Sequence, residues 1–293
     1  MISVIMPVYN EEKCVANSLK STEKALDGFS EWEIVVVDDG STDGTLAEIE
    51  KSGVKNTRIV NHVENLGYGK SLFDGIVLAQ YECIAIIDGD GSYPAHRIKD
   101  LYGYFHKYDM IVGARQGAQY RGGMIKRIAR VLFDSLAEYA SGRKIPDVNS
   151  GLRIFKKSIV MQFQDSLCTG FSFTTTLTLI FLLNHYYIKY VPIEYLKREG
   201  RSKVHNVKDT LRAAQIIIEA ILYYNPTKLF LLIASCNTAF GLMLGVLNKY
   251  LFHSILLKIV AAICIASFVP LFVMGMIADQ LKKIYNLNKG HGK

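Results

Sequence analysis

The tripeptide Asp88-Gly89-Asp90 carries the most evident chemistry in this chain of 293 residues. Two carboxylates separated by one glycine crowd like charges together, and in a partly dry site each disfavours ionisation of the other. A divalent cation relieves that repulsion. Hard ions such as Mg2+ or Mn2+ suit carboxylate oxygens and also bind phosphate oxygens. Asp88 and Asp90 are therefore candidate ligands of a metal–diphosphate site. Asp-Gly is also a common turn, so the placement of the tripeptide has to carry the inference.

That placement comes from the elements around it. Residues 2–6, 33–38, 58–61, 83–88 and 109–112 are short runs, mostly apolar and rich in Ile and Val. Helix-like stretches lie between them, at 11–26, 42–51, 69–80 and 94–106. Such alternation predicts an α/β domain with right-handed crossovers and a mostly parallel sheet. Sheets of this kind bind ligands beyond the carboxyl ends of their strands. Polar clusters stand there: Pro7-Val8-Tyr9-Asn10-Glu11, Asp38-Asp39-Gly40-Ser41-Thr42-Asp43-Gly44-Thr45, Asp88-Gly89-Asp90, and Gly113-Ala114-Arg115.

Two rival motifs fail on context. Asp39, Ser41, Asp43, Gly44 and Glu50 have the spacing of an EF-hand calcium loop. Such a loop follows a helix, whereas the β-branched run before Asp38 reads as a strand. Gly67-Tyr68-Gly69-Lys70-Ser71 resembles the end of a nucleotide-binding P-loop. That motif needs glycine five residues before Gly69, where Glu64 stands. A glycine-rich turn opening a helix remains, suited to close backbone approach to a ligand.

Half of the residues are hydrophobic and the formal charge is +7. The apolar excess collects after Leu229. Residues 229–247 form a run of 19 without charge, and 255–277 a run of 23 with Lys258 alone charged. Each is long enough to span the hydrocarbon core of a bilayer as a helix. The short link 248–254 predicts a hairpin. Lys282, Lys283, Lys289 and Lys293 follow it, so the positive-inside rule puts the tail in the cytosol. Two spans return the N-terminal part to the same side, and residues 1–6 are too short for a signal peptide. Residues 207–224 place Leu211, Ala214, Ile218 and Ile221 on one helical face, which reads as an interfacial helix. The predicted organisation is a catalytic domain at 1–206, an amphipathic helix at 207–228, a two-helix hairpin at 229–278 and a basic tail at 279–293. The basic charge is read as facing anionic lipid and phosphate, not nucleic acid. Cys14, Cys83, Cys168, Cys236 and Cys264 fit no zinc spacing.

Taken together, the clusters resemble family 2 glycosyltransferases of the GT-A fold, a Rossmann-like catalytic domain. Pro7-Val8-Tyr9-Asn10-Glu11 looks like their opening motif and Asp38-Asp39-Gly40-Ser41-Thr42-Asp43-Gly44 like their nucleotide loop. Asn65-Leu66-Gly67-Tyr68-Gly69-Lys70 resembles the turn after their third strand, and Asp88-Gly89-Asp90 their DxD metal motif. The resemblance spans about residues 2–205. It is closest to dolichol- and undecaprenyl-phosphate sugar synthases, through Asp147-Val148-Asn149-Ser150-Gly151-Leu152-Arg153 and the basic stretch holding Arg198, Ser202 and Lys203. The Gln-x-x-Arg-Trp motif of processive polysaccharide synthases is absent, since Trp32 is the single tryptophan. Two positions depart from the synthases: Ser92 replaces a frequent glutamine, and Thr174-Thr175-Thr176 stands where many relatives have an acidic residue.

The resemblance implies an inverting, metal-dependent hexosyltransferase. It would move a sugar from a UDP- or GDP-linked donor to a polyprenyl phosphate at the cytosolic face of an inner membrane or its equivalent. Pro7, Tyr9, Glu11, Asp38, Asp39, Gly67 and Lys70 would line the donor with Asp88, Gly89 and Asp90. Mg2+ or Mn2+ would sit on Asp88 and Asp90, and Arg115 would assist the leaving diphosphate. Arg127, Arg130, Arg198, Ser202 and Lys203 are candidates for the acceptor phosphate, or else surface groups drawn to anionic lipid. A lipid phosphate arrives ionised, which agrees with the lack of an acidic base at 174–176. Membrane lipids are expected neighbours, and a homo-oligomer is allowed for. The alternative acceptor is a lipid-linked saccharide or glycolipid in cell-surface polysaccharide assembly.

Overall fold

The computed structural model describes residues 1–117, 134–164, 173–196, 215, 218–219, 221–222 and 225–290. The chain divides into two compact units, Met1–Ala214 and Gln215–Lys293.

The first unit alternates strand and helix as its hydrophobic pattern requires. β1 (Ile2–Val8), α1 (Val15–Leu26), β2 (Trp32–Asp38), α2 (Thr45–Lys51), β3 (Thr57–Asn61), α3 (Tyr68–Leu78), β4 (Cys83–Ile86), α4 (Arg97–Tyr102) and β5 (Met110–Gln116) come first. β6 (Arg153–Lys156), α5 (Lys157–Gln162), α6 (Phe173–Leu183) and β7 (Ile188–Glu194) follow. The seven strands form one sheet in the order β3-β2-β1-β4-β6-β5-β7. β6 runs antiparallel to β4 and β5, and the remaining pairs are parallel. The mostly parallel sheet matches the sequence expectation. β6 and β7 are additions to the strands expected from the sequence.

Both faces of the sheet are covered, which explains why the central strands are apolar without alternation. Val4, Met6, Ile34 and Val36 pack on Val15, Leu19 and Leu26 of α1 and on Ile98 and Leu101 of α4. Ile5, Val35 and Val37 point the other way, towards Leu72 and Ile76 of α3 and Phe173, Leu177 and Phe181 of α6. Cys83 lies in this interior, and burial pushes its thiol up to about 12, so it stays protonated. Cys168 lies outside the described residues.

Chain order reverses at β1, which has β2 on one side and β4 on the other. Ligands of open α/β sheets bind at such a switch point. β1 pairs with β4 only from Ser3 to Ile5, opposite Ile84 to Ile86. The ladder ends there, and Pro7-Val8 and Asp88-Gly89-Asp90 follow beyond it at the ends of the two neighbouring strands.

The second unit contains α7 (Pro226–Leu247), α8 (Ile255–Ala266) and α9 (Phe268–Gly290). Asn225 caps α7, with Pro226 in the first turn, where its missing N–H costs nothing. α7 runs on through a wide turn, Asn248–Phe252, and the chain reverses at His253 in the left-handed region (φ 51°). The stretches Pro226–Leu251 and Ile255–Lys282, with mean hydropathies of 2.0 and 2.5, are long and apolar enough to cross a membrane. They are not helices of a soluble core, because Leu242 is 57% exposed and Ile255 74%. The second span expected from the sequence is one apolar helical stretch, Ile255–Lys282, with a local turn at Ser267. Pro270 explains the turn: it lacks the N–H that would reach the carbonyl one turn back, and its ring crowds that carbonyl, while helical bonds continue from Ser267 N to Ile263 O at 3.0 Å and from Leu271 N to Ser267 O at 3.1 Å. Asn237 of α7 fills the irregularity, its Nδ2 donating to Cys264 O at 3.3 Å and Ser267 Oγ at 2.6 Å. Most of the interfacial helix expected at 207–224 lies outside the described residues, as do 291–293 of the tail.

Gly241 sets how closely α7 and α8 approach, since a Cβ there would stand 2.8 Å from Cys264 Cβ and 2.9 Å from Ala261 O. Gly245, one turn on, would meet nothing within 4 Å. Gly241→Leu is expected to lower the melting temperature of the detergent-solubilised protein and Gly245→Leu to leave it nearly unchanged. Equal melting of the two variants would contradict this packing.

Candidate active site

The loops after β1 and β2 are fastened to each other by side chains that satisfy backbone groups. Asn10, held in the left-handed region (φ 50°), accepts at Oδ1 from Thr42 N at 2.8 Å, and its own N–H donates to Ser41 Oγ at 2.9 Å. The Glu11 N–H donates to Thr45 Oγ1 at 2.7 Å, and Glu12 Oε2 accepts from Gly44 N at 3.1 Å. Asn and Asp types dominate here because they tolerate the left-handed region and bond to nearby backbone. Pro7 is buried at the end of β1, Tyr9 is half-buried, and Glu11 is buried with Cys14 Sγ 3.3 Å from its carboxylate.

Asp38 and Asp39 are both buried and do different work. Asp38 Oδ1 accepts from Ser41 N at 3.1 Å and Ser41 Oγ at 2.5 Å, closing its own loop. Asp39 reaches the turn after β3, accepting from Leu66 N and Gly67 N, each at 2.9 Å, and meeting His62 Nδ1 at 2.8 Å. Gly40 permits the approach: its φ is +72°, and a Cβ would stand 2.6 Å from the Glu64 carbonyl carbon. Gly67 takes φ +100° as α3 begins. Lys70 pairs with Asp74 at 2.5 Å, so the structure places it in an ion pair along α3.

Asp88, Gly89 and Asp90 leave the end of β4. Gly89 lies against β1 so tightly that any Cβ would run into Val8 Cγ1, and its carbonyl accepts from Ser18 Oγ of α1 at 2.9 Å. Asp88 Oδ1 accepts from the Tyr68 hydroxyl at 2.8 Å. Burial, and then the Asp88 charge, hold the Tyr68 phenol well above its usual range, so it remains a donor. Asp90, 7% exposed, accepts at Oδ1 from Ser92 N at 3.0 Å and Ser92 Oγ at 2.5 Å. Gly151 closes over Asp88, with room for a Cβ only 2.6 Å from Oδ2.

The loop carrying Gly151 is fixed by two arginines. Asp147, 1% exposed, receives a bidentate pair from Arg115 of β5, Nε to Oδ2 at 2.8 Å and Nη2 to Oδ1 at 2.9 Å. Arg115 also lies 5.5 Å over the Tyr195 ring. Arg153 of β6 is fully buried and donates to carbonyls: Ser150 O at 2.6 and 2.9 Å, and Thr174 O at 2.9 Å. Burial lowers its pKa, opposed by the nearby tyrosines 68 and 190 and by Asp147. Tyr93 ties the loops together, its hydroxyl accepting from Gly151 N at 2.7 Å while its ring meets Tyr195 edge-on.

The structure thus brings Pro7, Asp88, Gly89 and Asp90 to the carboxyl ends of the neighbouring strands β1 and β4 and joins Asp39 to Gly67 in the turn after β3. It engages Arg115 with Asp147 and Lys70 with Asp74. Arg127, Arg130, Arg198, Ser202 and Lys203 lie outside the described residues. Thr174, Thr175 and Thr176 are buried at the start of α6, with Thr174 Oγ1 bonded to Asn149. Sequence reasoning assigns no site role to Tyr68, Tyr93, Asp147 or Arg153. A tyrosine directly after the glycine that opens a helix is the available signal for Tyr68.

No group of three or more His, Cys, Asp or Glu side chains suited to a metal occurs among the described residues. Two carboxylates still fit a hard ion, because Mg2+ is commonly held by one or two carboxylates, water and substrate phosphate.

Residues 3–163 match the family described as Glycosyl transferase family 2. A dolichyl-phosphate hexose transferase of Haloferax volcanii is 27% identical over 206 residues, 69% of this chain and 86% of that protein. A dodecaprenyl-phosphate galacturonate synthase of Rhizobium johnstonii is 29% identical over 167 residues; the match covers 55% of this chain and about half, 49%, of the relative's length. Among solved structures, glucosyl-3-phosphoglycerate synthase from Mycobacterium tuberculosis, in complex with Mn2+, UDP and glucosyl-3-phosphoglycerate, superposes with a TM-score of 0.61. The identity is 19%, and the match covers 75% of this chain and 79% of the other. That likeness is one of fold: the first unit is a GT-A-like domain.

Removing Arg115 would leave Asp147 a buried charge without its partner. Arg115→Gln is expected to cost about 3–5 kcal/mol of stability, read by denaturant unfolding, and adding Asp147→Asn should recover part of the loss. An unchanged unfolding midpoint in Arg115→Gln would contradict the pairing.

Proposed function

The chain belongs to glycosyl transferase family 2, and from that membership we propose that it moves a hexose-type sugar from a UDP- or GDP-linked donor to a polyprenyl phosphate. The observation that carries the proposal is the Asp88–Asp90 pair at the switch point of the sheet, in a chain that ends in two helices apolar enough to span a membrane. The named activities of two relatives, a dolichyl-phosphate hexose transferase and a dodecaprenyl-phosphate galacturonate synthase, support a lipid-phosphate acceptor.

In this reading Pro7, Tyr9, Glu11 and Asp38 form the base and ribose side of the donor pocket. Asp39, Gly67 and Lys70 shape the turn beside it. Asp88 and Asp90 are the residues that would hold Mg2+ or Mn2+. Such an ion neutralises charge growing on a departing diphosphate. Arg115, paired with Asp147 beside the Gly151 loop, is the group proposed to assist the departing diphosphate. Arg127, Arg130, Arg198, Ser202 and Lys203 are the groups proposed to receive the acceptor phosphate.

A phosphate acceptor is a nucleophile without losing a proton, so the site needs no carboxylate base. The buried threonines at 174–176 agree with that requirement. Attack from the face opposite the leaving group inverts the anomeric carbon. The two apolar helices would anchor the catalytic domain at the cytosolic surface, with both termini on that side and lipid as the immediate neighbour.

The test uses purified full-length protein with a panel of nucleotide-sugars, Mn2+ or Mg2+, and polyprenyl phosphate. A glycolipid labile to mild acid is expected. Asp90→Asn should lower turnover by about 100-fold or more with unchanged circular dichroism and melting temperature. Product formed only on sugar-bearing lipids would overturn the acceptor, and full activity of Asp90→Asn would overturn the role of the carboxylate pair.

A further inference from the structure

Each carboxylate of the pair is held by a hydroxyl. Tyr68, the first residue of α3, donates to Asp88 Oδ1 at 2.8 Å. Ser92, fully buried, gives Asp90 Oδ1 both its hydroxyl at 2.5 Å and its amide at 3.0 Å. The two donors approach from different sides, one from the start of a helix and one from the loop after β4. Neither side chain is required by the sheet, and neither belongs to the Asp-Gly-Asp motif. Resting on the reading of Asp88 and Asp90 as the divalent-cation site, we propose that Tyr68 and Ser92 are positioning residues that fix the two carboxylates in their receiving geometry before the cation and diphosphate arrive.

A carboxylate without a donor can turn towards water. A donor on one oxygen of each disperses charge and selects a rotamer. Groups hydrogen-bonded to ligating carboxylates tune metal affinity in this way.

The two contacts also connect the pair to loops on either side. Asp39 fixes Leu66 and Gly67 through their amides, and Tyr68 comes next in the chain, so the turn held by the loop after β2 also places the group on Asp88. On the other side, the Ser92 carbonyl accepts from Leu196 N at 3.0 Å, next to the basic segment that follows β7. Ser92 stands where related synthases often carry glutamine. The short serine hydroxyl can close onto a carboxylate two residues back, a local bond that its type favours.

The experiment titrates Mn2+ into the full-length protein in detergent, with UDP and separately GDP present, and reads bound Mn2+ by electron paramagnetic resonance. Tyr68→Phe and Ser92→Ala are each expected to weaken Mn2+ binding by about 10–100-fold at unchanged melting temperature. Ser92→Thr, which keeps the hydroxyl, should restore binding to nearly the wild-type value. Asp90→Asn serves as the reference. If Asp90→Asn binds poorly while Tyr68→Phe and Ser92→Ala bind like wild type, the positioning role is wrong and the cation site stands. If Asp90→Asn also binds like wild type, or the wild type takes up no Mn2+ with either nucleotide, the cation site is wrong and the positioning role falls with it.

Discussion

A carboxylate drawn out of water is costly unless donors satisfy it, and the first unit meets this constraint at Asp88 and Asp90, two residues apart just after β4. Asp88 and Asp90 stand at the end of a buried strand, where little water is available to screen them. The surroundings meet that cost with donors aimed at the carboxylate oxygens and with glycines that allow close approach. Gly89 lets β4 lie against Val8, and Gly151 lets a distant loop close over Asp88. Electrostatic stabilisation of a reacting group is most effective where donors are already in place and little has to move.

The loops around the pair owe their rigidity to charge placed inside the protein. Arg115 and Asp147 make a bidentate pair behind the Gly151 loop, and Arg153 is sunk into carbonyl oxygens of the same loop and of α6. Hydrogen bonds to charged groups contribute roughly 1.5–3 kcal/mol each, well above the worth of an exposed ion pair. Moving the 147–151 loop would break several at once. The same logic holds for the neighbouring loops, where Asp39 fastens the turn after β3 and Asn10 fastens the loop after β2.

Much of this is legible in the sequence, and the exceptions have physical causes. The Ile- and Val-rich runs identify the central strands because both sheet faces are buried and polarity is excluded from them. The Asp-Gly-Asp corner is legible because strand ends are where such sheets place polar residues. β6 is hidden because its first residue, Arg153, is charged yet buried, and β7 because Tyr190, Pro192 and Glu194 break its apolar pattern. The sequence shows the charge of Arg115 but not its partner, because the fold delivers Asp147 from 32 positions away. Lys70 has Asp74 one helical turn ahead of it, a pairing that helix periodicity alone could have supplied. The local turn at Ser267 is written in Pro270, but an apolar run conceals it because hydropathy does not register a missing N–H.

One structure determination bears most directly on the central claim: the protein crystallised with Mn2+ and a nucleoside diphosphate, with data collected at the manganese absorption edge. The account predicts an anomalous peak at the Asp88 and Asp90 carboxylates, beyond the carboxyl ends of β1 and β4, with the diphosphate beside it. A peak elsewhere, or a diphosphate bound with both carboxylates remote from it, would contradict it.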